Sequence, residues 1–357
     1  MKKALIAGWF SFEHGHATAG DLLALDVTCE WMQQAGYSYD IAYDPPFEGG
    51  VNWRVISPDQ YSHVIFVCGP FEQGAYEAEF LSRFSACRLI GLNLSMLEDM
   101  HKWKPFDLLL ERNSSEQVRP DMVFLSNEPK VPVVGVCLVE PYPGALDAVA
   151  NEAINRLIAK RPMAIVHIDT RLDKNGTYLR SKAEVESLIA NVDVLLTTRL
   201  HGAVMAIKNG VPVVPIDPEA GGAKIVLQMK KIGWPFVFQA DALDDKKLLD
   251  AYDYCLTEAA RQKARDCYIH ATQLLDKTRL EFIQELTTIN RLEANYRSRI
   301  ESARTEDWVL EKLRSQKGTE KLSVLAKLSR KAKSFTKRVA YWSLPVPIYN
   351  RLVSTKR

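Results

Sequence analysis

Apolar residues along this chain gather in short β-rich runs, separated by longer stretches in which they recur every three or four positions. In the first third the runs are KALIAGW, SYDIAYD, SHVIFVCG, CRLIGLNL, DLLLER and MVFLS, and a second series reads VPVVGVCLVE, MAIVHID, VDVLLTT, VPVVPID and PFVFQ. Strands with one wet face alternate apolar with polar residues. These runs are nearly continuous, the pattern of parallel strands covered by helices on both faces. The spacing predicts two doubly wound, Rossmann-like α/β domains, 1–126 and 131–275, facing each other across a cleft in a GT-B-like arrangement. The turn-forming and charged residues of 126–132 are the expected linker.

From about Thr278 the pattern becomes one of long helices. Phe282, Leu286, Ile289, Tyr296 and Ile300 recur at threes, fours and sevens among charges, which predicts a helical appendage over 276–320 that packs on the body or pairs with a second copy. Charge then separates sharply. After Glu320 no acidic residue occurs while ten basic ones do, so a formal net charge of +2 leaves the first 320 residues at −8 (2 − 10). Leu325, Leu328, Ala332, Phe335, Val339 and Trp342 share one helical face of this tail. A basic amphipathic helix over 321–357 fits an anionic membrane surface or packs on the protein, and the acidic remainder argues against nucleic acid as a partner.

Composition limits the remaining classes. The chain has 357 residues, 47% hydrophobic and 25% charged, enough for two cores and ordinary for a globular protein. No run approaches the roughly 18 apolar residues that span a bilayer, and the apolar start breaks off too early for a secretion signal. The six cysteines show no CxxC pairing. They read as buried free thiols of a cytoplasmic protein, with no metal site.

Candidate chemistry centres on LTTRLHGAVMA, 196–206. An apolar strand ends there and a small-residue helix begins, which places Arg199 and His201 in the turn at the carboxyl end of a parallel strand, where open α/β sheets bind ligands. The first helical turn exposes amide N–H groups, expected to be those of Gly202, Ala203 and Val204. The small side chains of Gly202 and Ala203 let an anion approach them, and an adjacent arginine completes a phosphate or carboxylate site. The other reading of these residues is an interdomain ion pair for Arg199 and a helix cap for His201. VHIDTRLD spaces His167, Asp169 and Arg171 alternately, on one face if the strand continues. They read either as acceptor-binding or basic groups or as a salt-bridged strand end. Asp21 reads as a helix cap or a sugar contact. His14 and His16 lie in the same loop, without an obvious third metal ligand.

The stretch VDVLLTTRLHGAVMAIKNGVPVVPID followed by GGAK resembles the C-terminal signature of the polysaccharide pyruvyltransferase family. ALIAGWFSFEHGHATAGDLLAL is similar to its opening loop ending in Gly20-Asp21, and LLLERNSSEQVRPDMVFL resembles its R-D-x-x-S and P-D-x-x-F segments through Arg112, Ser115, Pro120 and Asp121. The likeness covers about 3–240. Departures are VCGPF, where Pro70 replaces a glycine and removes an N–H, Asn113 in place of an aspartate, and EHGHATAG in the first loop. The resemblance implies phosphoenolpyruvate as donor, with no further cofactor, and a glycan acceptor, free or lipid-linked, that receives a pyruvate ketal. Arg199 and Arg112, one from each domain, would bind the donor's phosphate and carboxylate, His201 would act as acid or hydrogen-bond the phosphate, and Lys224 would add charge near the leaving group. A sugar-nucleotide glycosyltransferase and a non-catalytic scaffold of a glycan assembly complex are the alternatives, and a homo-oligomer is compatible with each.

Deleting 321–357 is expected to release the protein from anionic vesicles while turnover of a soluble substrate is retained. Co-sedimentation with vesicles checks this, and equal binding by both forms removes the membrane role.

Overall fold

The computed structural model describes residues 3–99, 101–113, 118–141 and 145–287. The chain divides into two compact units, Met1–Pro132 and Val133–Arg357. Unit 1 comprises β1 (Lys3–Ala7), α1 (Ala19–Gln34), β2 (Tyr39–Ile41), β3 (Tyr61–Phe71), α2 (Ala75–Arg83), β4 (Arg88–Met96) and β5 (Leu108–Leu110). Its strands are all parallel, in the order β2-β1-β3-β4-β5. Two apolar layers cover the sheet. Phe12, Trp53, Phe66, Phe71, Phe80 and Phe84 form a ring-rich layer on one side, and α1 supplies Ala24, Leu25 and Val27 to the other.

Unit 2 comprises β6 (Val133–Cys137), α3 (Asp147–Ile158), β7 (Ala164–His167), α4 (Lys182–Ala190), β8 (Val194–Thr197), α5 (Leu200–Lys208), β9 (Val213–Asp217), α6 (Lys224–Ile232), β10 (Phe238–Gln239), α7 (Asp245–Cys255) and α8 (Glu258–Thr287). The order β10-β9-β8-β6-β7 is again all parallel and, read from the other edge, repeats the strand order of unit 1. The central strands β8 and β9 are buried throughout, whereas the edge strand β7 is largely exposed. Burial decides which apolar runs read as continuous: Val194, Leu195 and Leu196 lie at 0% exposure, each side chain contributing about 1.5–3 kcal/mol.

Two expectations change. MVFLS forms a 3-10 turn, Met122–Leu125, because the Asp121 carboxylate accepts the Val123 amide and caps a helical turn where an extended run was expected. The boundary expected at 275–276 falls inside α8, which is continuous from Glu258 to Thr287. The appendage beyond that point and the basic tail lie outside the described residues. Five of the six cysteines are buried and all six are free thiols. Among the described residues no helix is long and apolar enough to cross a membrane.

Candidate functional site

Where strand order reverses in an open parallel sheet, the two neighbouring connections leave on opposite faces and open a crevice at the carboxyl edge. In unit 2 that point lies between β6 and β8. A cavity of about 380 Å³ stands there, lined by Val139 after β6, Thr198, Arg199, Leu200 and His201 after β8, Asp217 at the end of β9 with Pro218 and Glu219 beyond it, Asp147 of α3, and Lys224 and Ile225 of α6.

The turn from β8 into α5 is built by two threonines. Thr197 Oγ1 donates to the Cys137 carbonyl at 2.7 Å and accepts the Arg199 amide at 3.0 Å. Thr198 Oγ1 accepts the Val139 amide at 2.8 Å and so ties the segment after β6 against the same turn. Arg199 is the residue preceding α5 and makes no side-chain cap bond to it. Its Nε donates instead to the Leu138 carbonyl at 2.8 Å, while Nη2 faces Glu140 Oε2 at 2.7 Å and Asp169 Oδ1 at 3.6 Å. The Arg199 side chain is 14% exposed, held but accessible.

Two helix starts border this cavity, and they differ. At α6, Asp217 Oδ2 accepts the amides of Ala223, Ile225 and Val226 at 2.8, 3.0 and 3.0 Å, so a resident carboxylate already satisfies that terminus. Lys224 stands beside it, 3.4 Å from Glu219. At α5 no side chain among the described residues caps the first turn, and the amides of Leu200, His201 and Gly202 precede the first intrahelical bond, from Ala203 to the Arg199 carbonyl.

That position shifts the expected set of Gly202, Ala203 and Val204 toward the start of the helix: Gly202 keeps its free amide, Leu200 and His201 replace Ala203 and Val204, and neither Gly202 nor Ala203 lines this cavity; both are buried. Gly202 is small for packing: a Cβ there would stand 2.6 Å from Thr197 Oγ1 and 3.2 Å from Cys137 Sγ. Ala203 belongs to the core of unit 2. His167, Asp169 and Arg171 are not three positions on one strand face either, because β7 stops at His167. His167 is exposed at the sheet edge and does not line this cavity. Asp169 accepts the Arg171 and Gly176 amides and faces Arg199, while Arg171 pairs with Asp173 at 2.9 Å and approaches Glu140 at 3.5 Å. The salt-bridged strand end is the arrangement observed.

In unit 1 the order reverses between β1 and β3, and a cavity of about 360 Å³ lies there. Its lining includes Trp9, His16, Asp21, Cys68, Pro70, Arg112 and Asp121. Asp21 is foremost a cap: Oδ2 accepts both the amide and the hydroxyl of Thr18 at 2.7 Å. Gly69, at φ +88°, has the Trp9 indole where a Cβ would stand, 2.3 Å away, and the β3–β4 pairing skips Cys68 and Asn93, both left-handed, and resumes in the same register. Asn93 donates to Asp121 at 2.9 Å, and Asp121 in turn holds Arg112, whose Nε reaches Ser95. Burial pushes the Cys68 thiol up to about 11, with the Asp21 charge adding to it, so it lines this wall as a neutral thiol. His14 is exposed, and Asn113 is exposed beside Arg112. Among the described residues no group of His, Cys, Asp and Glu has metal-site geometry.

Both units thus belong to the class of open parallel α/β sheets with a crevice at the switch point, the one in unit 2 carrying cationic groups beside an uncapped helix start. Residues 117–219 match the family model described as polysaccharide pyruvyl transferase, a span that holds Asp121, Glu140, Asp169, Arg199, His201 and Asp217 and stops short of Lys224. A search of curated proteins finds no match. Solved structures with similarity include CalG4, the calicheamicin glycosyltransferase, at 12% identity over 81% of this chain and 99% of that one, TM-score 0.31. A UDP-GlcNAc 2-epimerase from Methanocaldococcus jannaschii matches at 11% identity over 73% and 94%, TM-score 0.28, and MurG of Acinetobacter baumannii at 10% over 75% and 95%, TM-score 0.30. Likeness at that level carries no argument about what this chain does.

Sequence reasoning passed over Glu140, Asp217 and Thr197. An aspartate closing VPVVPID just before GGAK is a readable cap signal for the next helix. Nothing local marks Glu140, whose role follows from β6 lying beside β8.

Two outcomes test this geometry. Gly202→Ala is expected to lower stability by about 1–3 kcal/mol in urea unfolding, since the new methyl displaces the Thr197 hydroxyl from the turn. For Asp121, burial pushes the carboxyl up, but the Val123 amide, Asn93 and Arg112 together hold it below the ordinary range. A depressed carboxyl contributes stability above its unfolded value of about 3.9 and loses it as pH falls through the folded one. Unfolding of the native chain should therefore become easier below about pH 4, and Asp121→Asn should flatten that dependence.

Proposed function

We propose that this chain is a phosphoenolpyruvate-dependent pyruvyltransferase that forms a pyruvate ketal on a sugar of a cell-surface polysaccharide or of its lipid-linked precursor. The observation that carries the reading is the unit-2 cavity: an uncapped start of α5 with Arg199 and His201 beside it, inside the span that matches the family model. The donor has a carboxylate and a phosphate on one small molecule, and a planar guanidinium binds either group through two parallel N–H donors. With Nε anchored on the Leu138 carbonyl, the terminal nitrogens of Arg199 are the ones left to meet a ligand.

In the reaction a proton goes to the methylene carbon of the donor and an acceptor hydroxyl adds to the cationic carbon so formed, losing its own proton. A second hydroxyl of the same sugar then attacks that carbon and gives up its proton, and inorganic phosphate leaves with the bonding pair, completing the ketal. His201, second residue of α5 and exposed to the cavity, is assigned the first proton or a hydrogen bond to the phosphate. Positioned acid–base groups are worth ~10²–10⁴-fold in such steps. Lys224 adds charge for the departing phosphate at the cost of its pairing with Glu219. Arg112, expected from the resemblance to bind the donor, lines the unit-1 cavity with His16 and Asp21 and is already held by Asp121, so that cavity is assigned to the acceptor side.

Phosphoenolpyruvate is expected to raise the melting temperature of the purified protein, and nucleotide sugars to leave it unchanged; stabilisation by a nucleotide sugar alone overturns the assignment. Arg199→Lys keeps the point charge and loses the fork. It should keep the melting temperature of the native protein without ligand while lowering kcat/KM at least about tenfold, the scale of one charge-assisted hydrogen bond. An unchanged rate would favour a non-catalytic role.

A further inference from the structure

The guanidinium assigned to the donor already has a carboxylate on it. Three acceptors surround Arg199, and they are held very differently. The Leu138 carbonyl belongs to the backbone after β6, which Thr198 fixes through the Val139 amide. Asp169 is 15% exposed in its side chain and is tied down by the Arg171 and Gly176 amides, 3.6 Å from Nη2. Glu140 is 58% exposed, meets Nη2 at 2.7 Å, and has Arg171 3.5 Å from its other oxygen. The first two orient the guanidinium and have no freedom to leave. Glu140 has both the freedom to leave and a second cation to receive it.

Resting on the phosphoenolpyruvate reading, we propose that Glu140 is a positioning and affinity-setting residue: its carboxylate competes with the donor's anionic group for the Nη2 edge of Arg199 and swings to Arg171 when the donor binds. The carboxyl is ionised across the neutral range, because the hydrogen bond from its own backbone amide, followed by the charges of Arg199 and Arg171, outweighs burial and holds it below the ordinary glutamate range. The competition is therefore one anion against another. Without Glu140, Arg199 would keep only Asp169, at 3.6 Å, as a counter-ion, and its Nη2 edge would be open to any small anion. With Glu140 present, only a ligand offering at least as good a bidentate fit displaces the resident group, so the residue sharpens selection for a planar carboxylate or a phosphate over chloride.

The titrations compare the full chain with Glu140→Gln, which keeps the shape and removes the charge, using phosphoenolpyruvate, inorganic phosphate and pyruvate as separate calorimetric ligands. Glu140→Gln should bind phosphoenolpyruvate about two- to fivefold more tightly, the range of a partly exposed ion pair, with the gap narrowing as salt is raised. A purely structural role predicts the opposite sign, since loss of a support for Arg199 weakens anion binding. Equal or weaker binding in the variant overturns the proposal. If neither form binds phosphoenolpyruvate but phosphate or pyruvate binds more tightly to Glu140→Gln, competition at Arg199 stands and the donor assignment falls. If no anion binds to either form, both fall.

Discussion

The chemistry attributed to unit 2 depends on one hydroxyl. Thr197 Oγ1 links the end of β6 to the turn after β8 by donating to the Cys137 carbonyl and accepting the Arg199 amide. That pair of bonds fixes where the chain leaves the sheet and hence where Arg199 starts. A glycine at 202 is the complementary requirement, because the helix returns so close to the same hydroxyl that a Cβ has no room. An arginine carries many rotatable bonds, and its cost of ordering is met by anchoring Nε on a backbone carbonyl at the neighbouring strand end. Placement of the functional cation is thus a property of two adjacent parallel strands, and the helix contributes its uncapped amides.

Charge balance around that cation explains the rest of the lining. A carboxylate at the start of α6 satisfies three amides, and a buried aspartate left uncompensated would be far more costly. The same solution at α5 would close the site, and there the residue before the helix is an arginine. The cavity therefore has one terminus satisfied from within and one that no side chain among the described residues caps, with Glu140 and Asp169 holding the guanidinium between them.

Unit 1 repeats the strand order but uses its switch point differently. Its arginine is locked by Asp121, which is itself held by Asn93 and the Val123 amide, and the strands passing the cavity are left-handed at Cys68 and Asn93. Left-handed conformations at non-glycine residues cost free energy. Here Asn93 turns its side chain onto Asp121 and the Met122 amide, bonds that a regular β4 would not make. A rigid polar wall results, with an aromatic edge from Trp9.

Local sequence was enough for most of the strands, for the position of the β8–α5 turn and for the cap at Asp21, because continuous apolar runs and an acidic residue ahead of an apolar helix are short-range signals. It also marked Arg199, His201 and Lys224, whose places follow from chain proximity to one strand end or helix start. It failed where identity depends on neighbours across the sheet. Ala203 read as ligand-facing by its size, and only packing on β8 showed it to be core; His167, Asp169 and Arg171 read as sharing one strand face by their spacing, and the end of β7 at His167 separated them. Glu140 lies 59 residues from Arg199, and no local pattern predicts that contact. Strand order alone brings the end of β6 beside the end of β8, and strand order is settled by which buried faces fit together.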